Sequence, residues 1–160
     1  MRCETLREVT LSARILDFLT TSPFSSPSCD DKSKLIASLR DVQISLLKSK
    51  IHRAVVTAAN VNYEGSLSIS ADLAELVEME EYERILVGNM ANGERFETYV
   101  IYGIRGHGGI ELNGAAAYLG KPGDRLTIMS FGLFDPEEAR THQPKIIVLG
   151  EKNEVLRQKT

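Results

Sequence analysis

Two cysteines in 160 residues, Cys3 and Cys29, both near the N-terminus, are too few to staple a small secreted scaffold. No apolar run reaches membrane-spanning length: the densest, Ile146-Ile147-Val148-Leu149, is strand-sized. A signal-peptide core is missing, because Asp17 interrupts the best early apolar run, Arg14–Leu19. Excess positive charge is missing too. With 19 basic and 22 acidic side chains the net charge is −3, which argues against a nucleic-acid or membrane-surface binder. His52, His107 and His142 stand far apart, and no Cys or His pair has metal-ligand spacing, so no metal is expected. The remaining composition, 42% hydrophobic and 26% charged, is that of one soluble globular domain in a reducing, cytoplasmic setting.

The chain divides near residue 41. Residues 1–41 carry Ser and Thr clusters and the stretch Ser22-Pro23-Phe24-Ser25-Ser26-Pro27-Ser28, which buries too little apolar surface to offset the entropy of ordering it. This part reads as an N-terminal extension, mobile or partly helical: the Ser/Pro stretch is a linker, with one frayed helix before it and one after, around Lys32–Arg40. Its acidic residues, among them Glu4, Glu8 and Asp17, argue against a transit peptide.

Residues 42–160 read as a second unit of short β-rich runs. Lys50–Thr57 has the β-branched residues and partial alternation of a strand. Ser70 reads as the N-cap of a short helix over Ala71–Leu76. Arg84–Asn89 and Glu94–Tyr102 flank Ala91-Asn92-Gly93, and Asn-Gly between two such runs is a strong hairpin signal. Asn113 reads as the cap of a helix over Gly114–Leu119, and Lys121-Pro122-Gly123-Asp124 as the turn into a strand at Leu126–Phe131. Asp135-Pro136-Glu137-Glu138 is a helix start, with Pro at the first helical position and acids at the positive dipole end. A last strand, Lys145–Leu149, precedes a charged, frayed tail. Many short strands with brief helices predict a mainly β fold, a small closed barrel.

The segment that points to chemistry is Tyr63-Glu64-Gly65-Ser66. By itself Gly-Ser is a common turn dipeptide. Its company is Lys50-x-His52-Arg53 upstream, Asn92-Gly93-Glu94-Arg95-Phe96-Glu97-Thr98-Tyr99 after the hairpin, and Asn113-Gly114-Ala115-Ala116-Ala117 beyond. In this order and spacing the segments resemble the pyruvoyl-dependent aspartate 1-decarboxylases, from about Leu46 to about Asn153. The resemblance implies a double-psi β-barrel and the conversion of L-aspartate to β-alanine for pantothenate synthesis. These enzymes begin close to the Lys50 strand, so residues 1–41 depart from the family pattern. Either the extension is real or translation starts downstream at a non-Met codon such as that of Val42.

The chemistry also follows from the reaction. Removing the α-carboxylate of an amino acid leaves a carbanion, which needs an electron sink that no side chain supplies. A sink can be built from the backbone. Ser66 Oγ attacks the Gly65 carbonyl, the peptide becomes an ester, and β-elimination releases the upstream chain. Hydrolysis of the resulting dehydroalanine leaves a covalent pyruvoyl group and frees ammonia. Gly65 suits the attacked position, because it has no Cβ and tolerates unusual φ/ψ. The mature protein is then two chains, 1–65 and 66–160, and the pyruvoyl ketone takes the amine of aspartate as an imine.

Other roles divide between bland and functional readings. Arg95 is a solvated arginine or the bidentate anchor of one aspartate carboxylate. Lys50 is a surface lysine or the partner of the other carboxylate. By resemblance Tyr99 protonates the carbanion, and Thr98 binds near the scissile carbonyl and donates to the developing oxyanion. A regular strand puts Tyr99 on the face of Arg95 and Glu97 and Thr98 on the opposite one, a conflict that a bulge or a neighbouring subunit would relieve. Asn113, Gly114, Ala115 and Ala116 form either a plain capped helix or a helix terminus that cradles an anion. His52, Tyr63 and Glu64 are expected to shape the cleavage turn, Ser68 to be an ordinary strand residue, and His107 a loop residue.

The resemblance further implies a homotetramer with sites between subunits, Ser66 and Tyr99 coming from adjacent protomers. It leaves spontaneous cleavage and cleavage aided by an accessory maturation protein both open. The rivals are a non-catalytic double-psi barrel acting as a binding or scaffold module, and a pyruvoyl decarboxylase for a cationic substrate. Intact Gly65-Ser66 with Arg95 and Tyr99 weighs against the first, and the cations Lys50 and Arg95 weigh against the second.

Overall fold

The computed structural model describes residues 42–159. The expected helices and linker before residue 42 therefore lie outside the described residues. Nine strands alternate with little helix: β1 (Ile44–Val55), β2 (Ala58–Asn60), β3 (Ser66–Ser70), α1 (Ala71–Leu76), β4 (Arg84–Asn89), β5 (Arg95–Gly103), β6 (Ile110–Asn113), β7 (Arg125–Phe134), α2 (Pro136–Thr141), β8 (Lys145–Leu149) and β9 (Val155–Lys159). Their order across the sheet is β2-β6-β3-β5-β4-β7-β1-β8-β9. The mostly β architecture is that expected of a small double-psi barrel.

Alternation explains which face is inside. Along β4, Ile85 and Val87 are buried between less buried neighbours, and β7 does the same with Leu126 and Ile128. With Ile51, Leu67, Ile69, Val100, Ile110, Leu112, Ile147 and Leu149 they form one apolar core. The strand expected at Lys50–Thr57 starts six residues earlier, at Ile44, and carries two bulges opposite β7, at Leu47/Ser49 and His52/Ala54. Arg53 sits in the second bulge at φ +66. Such bulges re-aim the side chains beside them, here His52 and Arg53.

Local signals translate directly. The Asn92-Gly93 hairpin joins β4 to β5 with Gly93 at φ +79, and the Asn92 side chain accepts the Glu94 N–H at 2.9 Å. At α2 the Asp135 carboxylate accepts the Glu137 and Glu138 N–H groups at 2.9 Å, and Glu138 answers at the Asp135 N–H.

Three expectations need correction. Ser70 does not cap α1 with its side chain; its hydroxyl goes to Asp72 Oδ1 at 2.5 Å and to the Ile104 carbonyl at 2.9 Å. The helix after Asn113 is one 3-10 turn, Gly114–Tyr118, without a side-chain cap. The tail read as frayed forms β9, antiparallel to β8. All five β9 residues are exposed, so backbone pairing and not an apolar face specifies this strand. Asn153, at φ +59 and 3% exposed, fixes the β8–β9 turn: its side chain bonds both backbone groups of Val55 and the Gly108 carbonyl.

Candidate active site

The site lies where β5 acquires a second neighbour. Residues 95–99 of β5 pair with β4 alone, and from Val100 onward the opposite edge pairs in parallel with β3. Ser66 is the first residue of β3, and the turn before it, held by an Asn60 side-chain bond to the Asn62 N–H, delivers Gly65 and Ser66 to the unpaired edge at Tyr99. Ser66 is 3% exposed and has φ +155, a conformation costly for any residue with a side chain. That strain falls on the peptide bond expected to cleave.

Three groups hold the Ser66 hydroxyl. Thr98 Oγ1 lies 2.9 Å away, the Tyr99 N–H donates to Oγ at 3.2 Å, and the Ser66 hydroxyl donates to the Tyr99 carbonyl. Across the peptide bond, Tyr99 Oη donates to the Gly65 carbonyl at 2.9 Å. The facing conflict between Thr98 and Tyr99 thus resolves within one chain and without a bulge, since the β4–β5 register is unbroken. Thr98 reaches Ser66 from one face of β5; Tyr99 reaches Ser66 by its backbone along the edge, and its phenol reaches the Gly65 carbonyl around the other face. The expectation that Ser66 and Tyr99 come from adjacent protomers gives way to this intrachain contact. Thr98 touches the nucleophile; the side chain on the carbonyl is Tyr99.

A cleft of about 270 Å³ opens beside the pair, lined by Gly65, Ser66, Phe96, Glu97, Thr98, Tyr99, Asn113, Ala115, Ala116 and Leu119. Asn113 is 3% exposed, and among the described residues its Nδ2 has no hydrogen-bond partner, an unspent donor in a wall of the cleft. Gly114 acts sterically: at φ +59, a Cβ there would stand 2.8 Å from Gly65 Cα. The single 3-10 turn that follows offers little of the helix dipole anticipated for an anion cradle. Phe96, Glu97 and Leu119 line the cleft without having been singled out; only the β5 alternation carried a hint of the first two.

Gly114→Ala is therefore expected to strain the cleavage turn, at about 1–2 kcal/mol for the left-handed backbone alone, and to slow any cleavage at Gly65-Ser66. Thermal melting and intact mass check this; a variant of unchanged stability and cleavage would remove the close approach from the argument.

Lys50, His52, Arg95, Tyr63 and Glu64 do not line the cleft. The register places three of them elsewhere together. Arg95 pairs with Gly88, Gly88 with Thr127 and Thr127 with His52, while Lys50 pairs with Met129, Met129 with Leu86 and Leu86 with Glu97. Paired residues on adjacent strands point the same way, so Lys50, His52, Arg95 and Tyr99 share the outer face. At roughly 4.8 Å per strand, His52 and Arg95 stand roughly 14 Å apart across Thr127 and Gly88, and a Cβ at Gly88 would meet only open space. Among the described residues neither Lys50 nor Arg95 forms an ion pair. His52 Nδ1 lies 3.1 Å from Thr127 Oγ1, the ring's one hydrogen bond among the described residues, so no such bond ties it to the cleavage turn. Burial first, then the charges of Lys50, Arg53 and Arg157, holds its pKa below the ordinary histidine value. Tyr63 and Glu64 are exposed in the turn. Ser68 lies in β3 and His107 in the loop after β5, as expected.

Residues 42–156 match the family model described as Aspartate decarboxylase. The chain is 54% identical over 113 residues to the aspartate 1-decarboxylase of Acetivibrio thermocellus, covering 71% of this chain and 90% of that protein. It is 52% identical over 109 residues to that of Heliobacterium modesticaldum (68% and 83%) and 49% identical over 112 residues to that of Chlorobaculum parvum (70% and 88%).

Proposed function

The chain belongs to the aspartate decarboxylase family, and we propose that it converts L-aspartate to β-alanine and carbon dioxide on a pyruvoyl group made from its own Ser66. The observation that carries this reading is the state of the Gly65–Ser66 peptide: a serine at φ +155, its hydroxyl held by Thr98 and its neighbouring carbonyl held by Tyr99. The residues around it suit such a group. Asn113 Nδ2 is a free donor in the cleft wall, and the missing Cβ of Gly114 leaves room for Gly65. When present, the pyruvoyl group supplies the electron sink that decarboxylation requires.

The chain's own residues do the rest. Ser66 Oγ attacks the Gly65 carbonyl and its proton ends on the Ser66 nitrogen as the C–N bond breaks, giving an ester. Loss of the Ser66 Cα proton with the Cβ–O bond releases residues 1–65, and water completes the ketone with loss of ammonia. In turnover Tyr99 returns a proton to the substrate Cα, while Arg95 and Lys50 hold the carboxylates. Because those cations lie on the outer face and not in the cleft of their own chain, we place them against the cleft of a neighbouring subunit in a homotetramer. β-Alanine then feeds pantothenate and coenzyme A synthesis in the cytoplasm, with or without an accessory protein that speeds maturation.

The test is β-alanine formation from L-aspartate together with masses matching 1–65 and 66–160; a single intact chain that decarboxylates aspartate would overturn the pyruvoyl route. Arg95→Ala should lower kcat/KM on the order of tenfold to a hundredfold, for a charged contact of roughly 1.5–3 kcal/mol, with the fold intact. Mixing Arg95→Ala with Ser66→Ala under verified subunit exchange should restore part of the activity, since one chain supplies Ser66 and the other Arg95. No recovery would place Arg95 in the cleft of its own chain or outside the site.

A further inference from the structure

We propose that Arg84 adapts the cleft to a doubly negative substrate by holding the Glu97 carboxylate, which makes it a positioning residue acting through Glu97. The inference rests on the reading above that aspartate is the substrate, and adds two residues that the reading leaves without a role. Among the described residues that line the cleft beside Ser66, Glu97 is the only charged one. A cleft to which its own chain contributes a single negative charge receives a dicarboxylate badly, because like charges a few ångströms apart repel even through water.

The structure supplies the counter-charge. Arg84 Nη2 donates to both Glu97 carboxylate oxygens, at 2.7 Å to Oε1 and 2.6 Å to Oε2. Strand register puts it there. In the β4–β5 ladder Arg84 stands opposite Tyr99 and Glu97 opposite Leu86, so the pair spans the diagonal between the two strands, within reach of long side chains. Arg84, Glu97 and Tyr99 thus share one face. Of the ion pairs among the described residues, this one alone includes a residue of the cleft. Folding gives little reason for it: the two side chains are 78% and 56% exposed, and pairs so exposed contribute little stability. What the pair changes is the charge an incoming anion meets. With Arg84 the carboxylate is neutralised and tied to β4; without it the carboxylate is free to swing and fully negative.

The experiment brings each variant to complete cleavage, checks its fold by a melting curve and expresses rates per mature chain. Arg84→Ala should raise KM for L-aspartate by on the order of fivefold at low ionic strength, with kcat changed by less than about twofold. Succinate, which has both carboxylates and no amine to form an imine, should weaken as a competitive inhibitor by a similar factor. Both differences should shrink as salt is added, because the pair is exposed. Adding Glu97→Gln to Arg84→Ala should bring KM back to that of Glu97→Gln alone, and Arg84→Lys should keep part of the natural affinity. An Arg84→Ala enzyme with natural KM and natural succinate inhibition would overturn the inference. So would a double variant as weak as Arg84→Ala, since Arg84 would then act on the substrate and not through Glu97, and so would a fall in kcat with KM unchanged. In each of these results the natural protein still makes β-alanine and the functional reading stands; a natural protein that makes none removes both.

Discussion

Ser66→Ala is expected to yield a single folded chain of 160 residues with no measurable β-alanine production. The substitution removes the only oxygen that can attack the Gly65 carbonyl from the next residue, and with it the Cβ–O bond whose elimination would leave the ketone. No other residue supplies an equivalent sink, so the loss should be complete and not a matter of degree. The fold should survive. The apolar core does not include this side chain, and the cost is that of leaving Thr98 and the Tyr99 carbonyl short of a partner, about 1–3 kcal/mol. Intact mass, denaturing electrophoresis and a melting curve measure all three outcomes. A cleaved Ser66→Ala protein would show that the nucleophile is something else.

The second large effect is on turnover itself. In Tyr99→Phe protein brought to complete cleavage, kcat/KM with L-aspartate should fall by about a hundredfold to ten-thousandfold, the range for removing a positioned proton donor. The ring stays, and so does its contact with Tyr82, whose centroid is 6.5 Å away. Loss of packing therefore cannot account for a drop of that size. Rates must be expressed per 66–160 chain carrying the ketone, counted by mass, because slow maturation and slow protonation would otherwise be confounded. Near-natural turnover per mature chain would remove Tyr99 from the protonation step while leaving its contact with Gly65 to be judged by cleavage alone.

What could be read in the sequence was whatever short-range chemistry decides. The Asn92-Gly93 hairpin, the Asp135-Pro136 helix start and the turn before Gly65-Ser66 depend on residues a few positions apart, whose φ preferences and side-chain caps act without the rest of the molecule. The types of the site residues were legible for the same reason, since the chemistry of a cleavable Gly-Ser, an arginine and a tyrosine travels with the residues. Strands β2 and β6 were not legible, and of β3 only Ser68 was read as a strand residue. They have three to five residues each, too short for a period to show, and they are specified by partners far along the chain, Ser66 by Asn113 and Leu67 by Val100. β9 was missed because its exposed side chains carry no apolar pattern and its backbone pairing with β8 alone makes it a strand.

Only the tertiary structure decided who meets whom at the site. Alternation correctly put Thr98 and Tyr99 on opposite faces of β5, yet both reach the Gly65–Ser66 peptide, because that peptide lies at the strand's open edge and is accessible from either face. The outer face that brings Tyr99 and Glu97 to the cleft also carries Lys50, His52 and Arg95, which lie outside the cleft lining of their own chain. Gly114 earned its place by standing where a Cβ would strike Gly65, a contact between residues 49 positions apart in the sequence. Side-chain chemistry is local and can be read from one residue at a time. Proximity in a sheet is set by strand order and register, which are properties of the whole barrel.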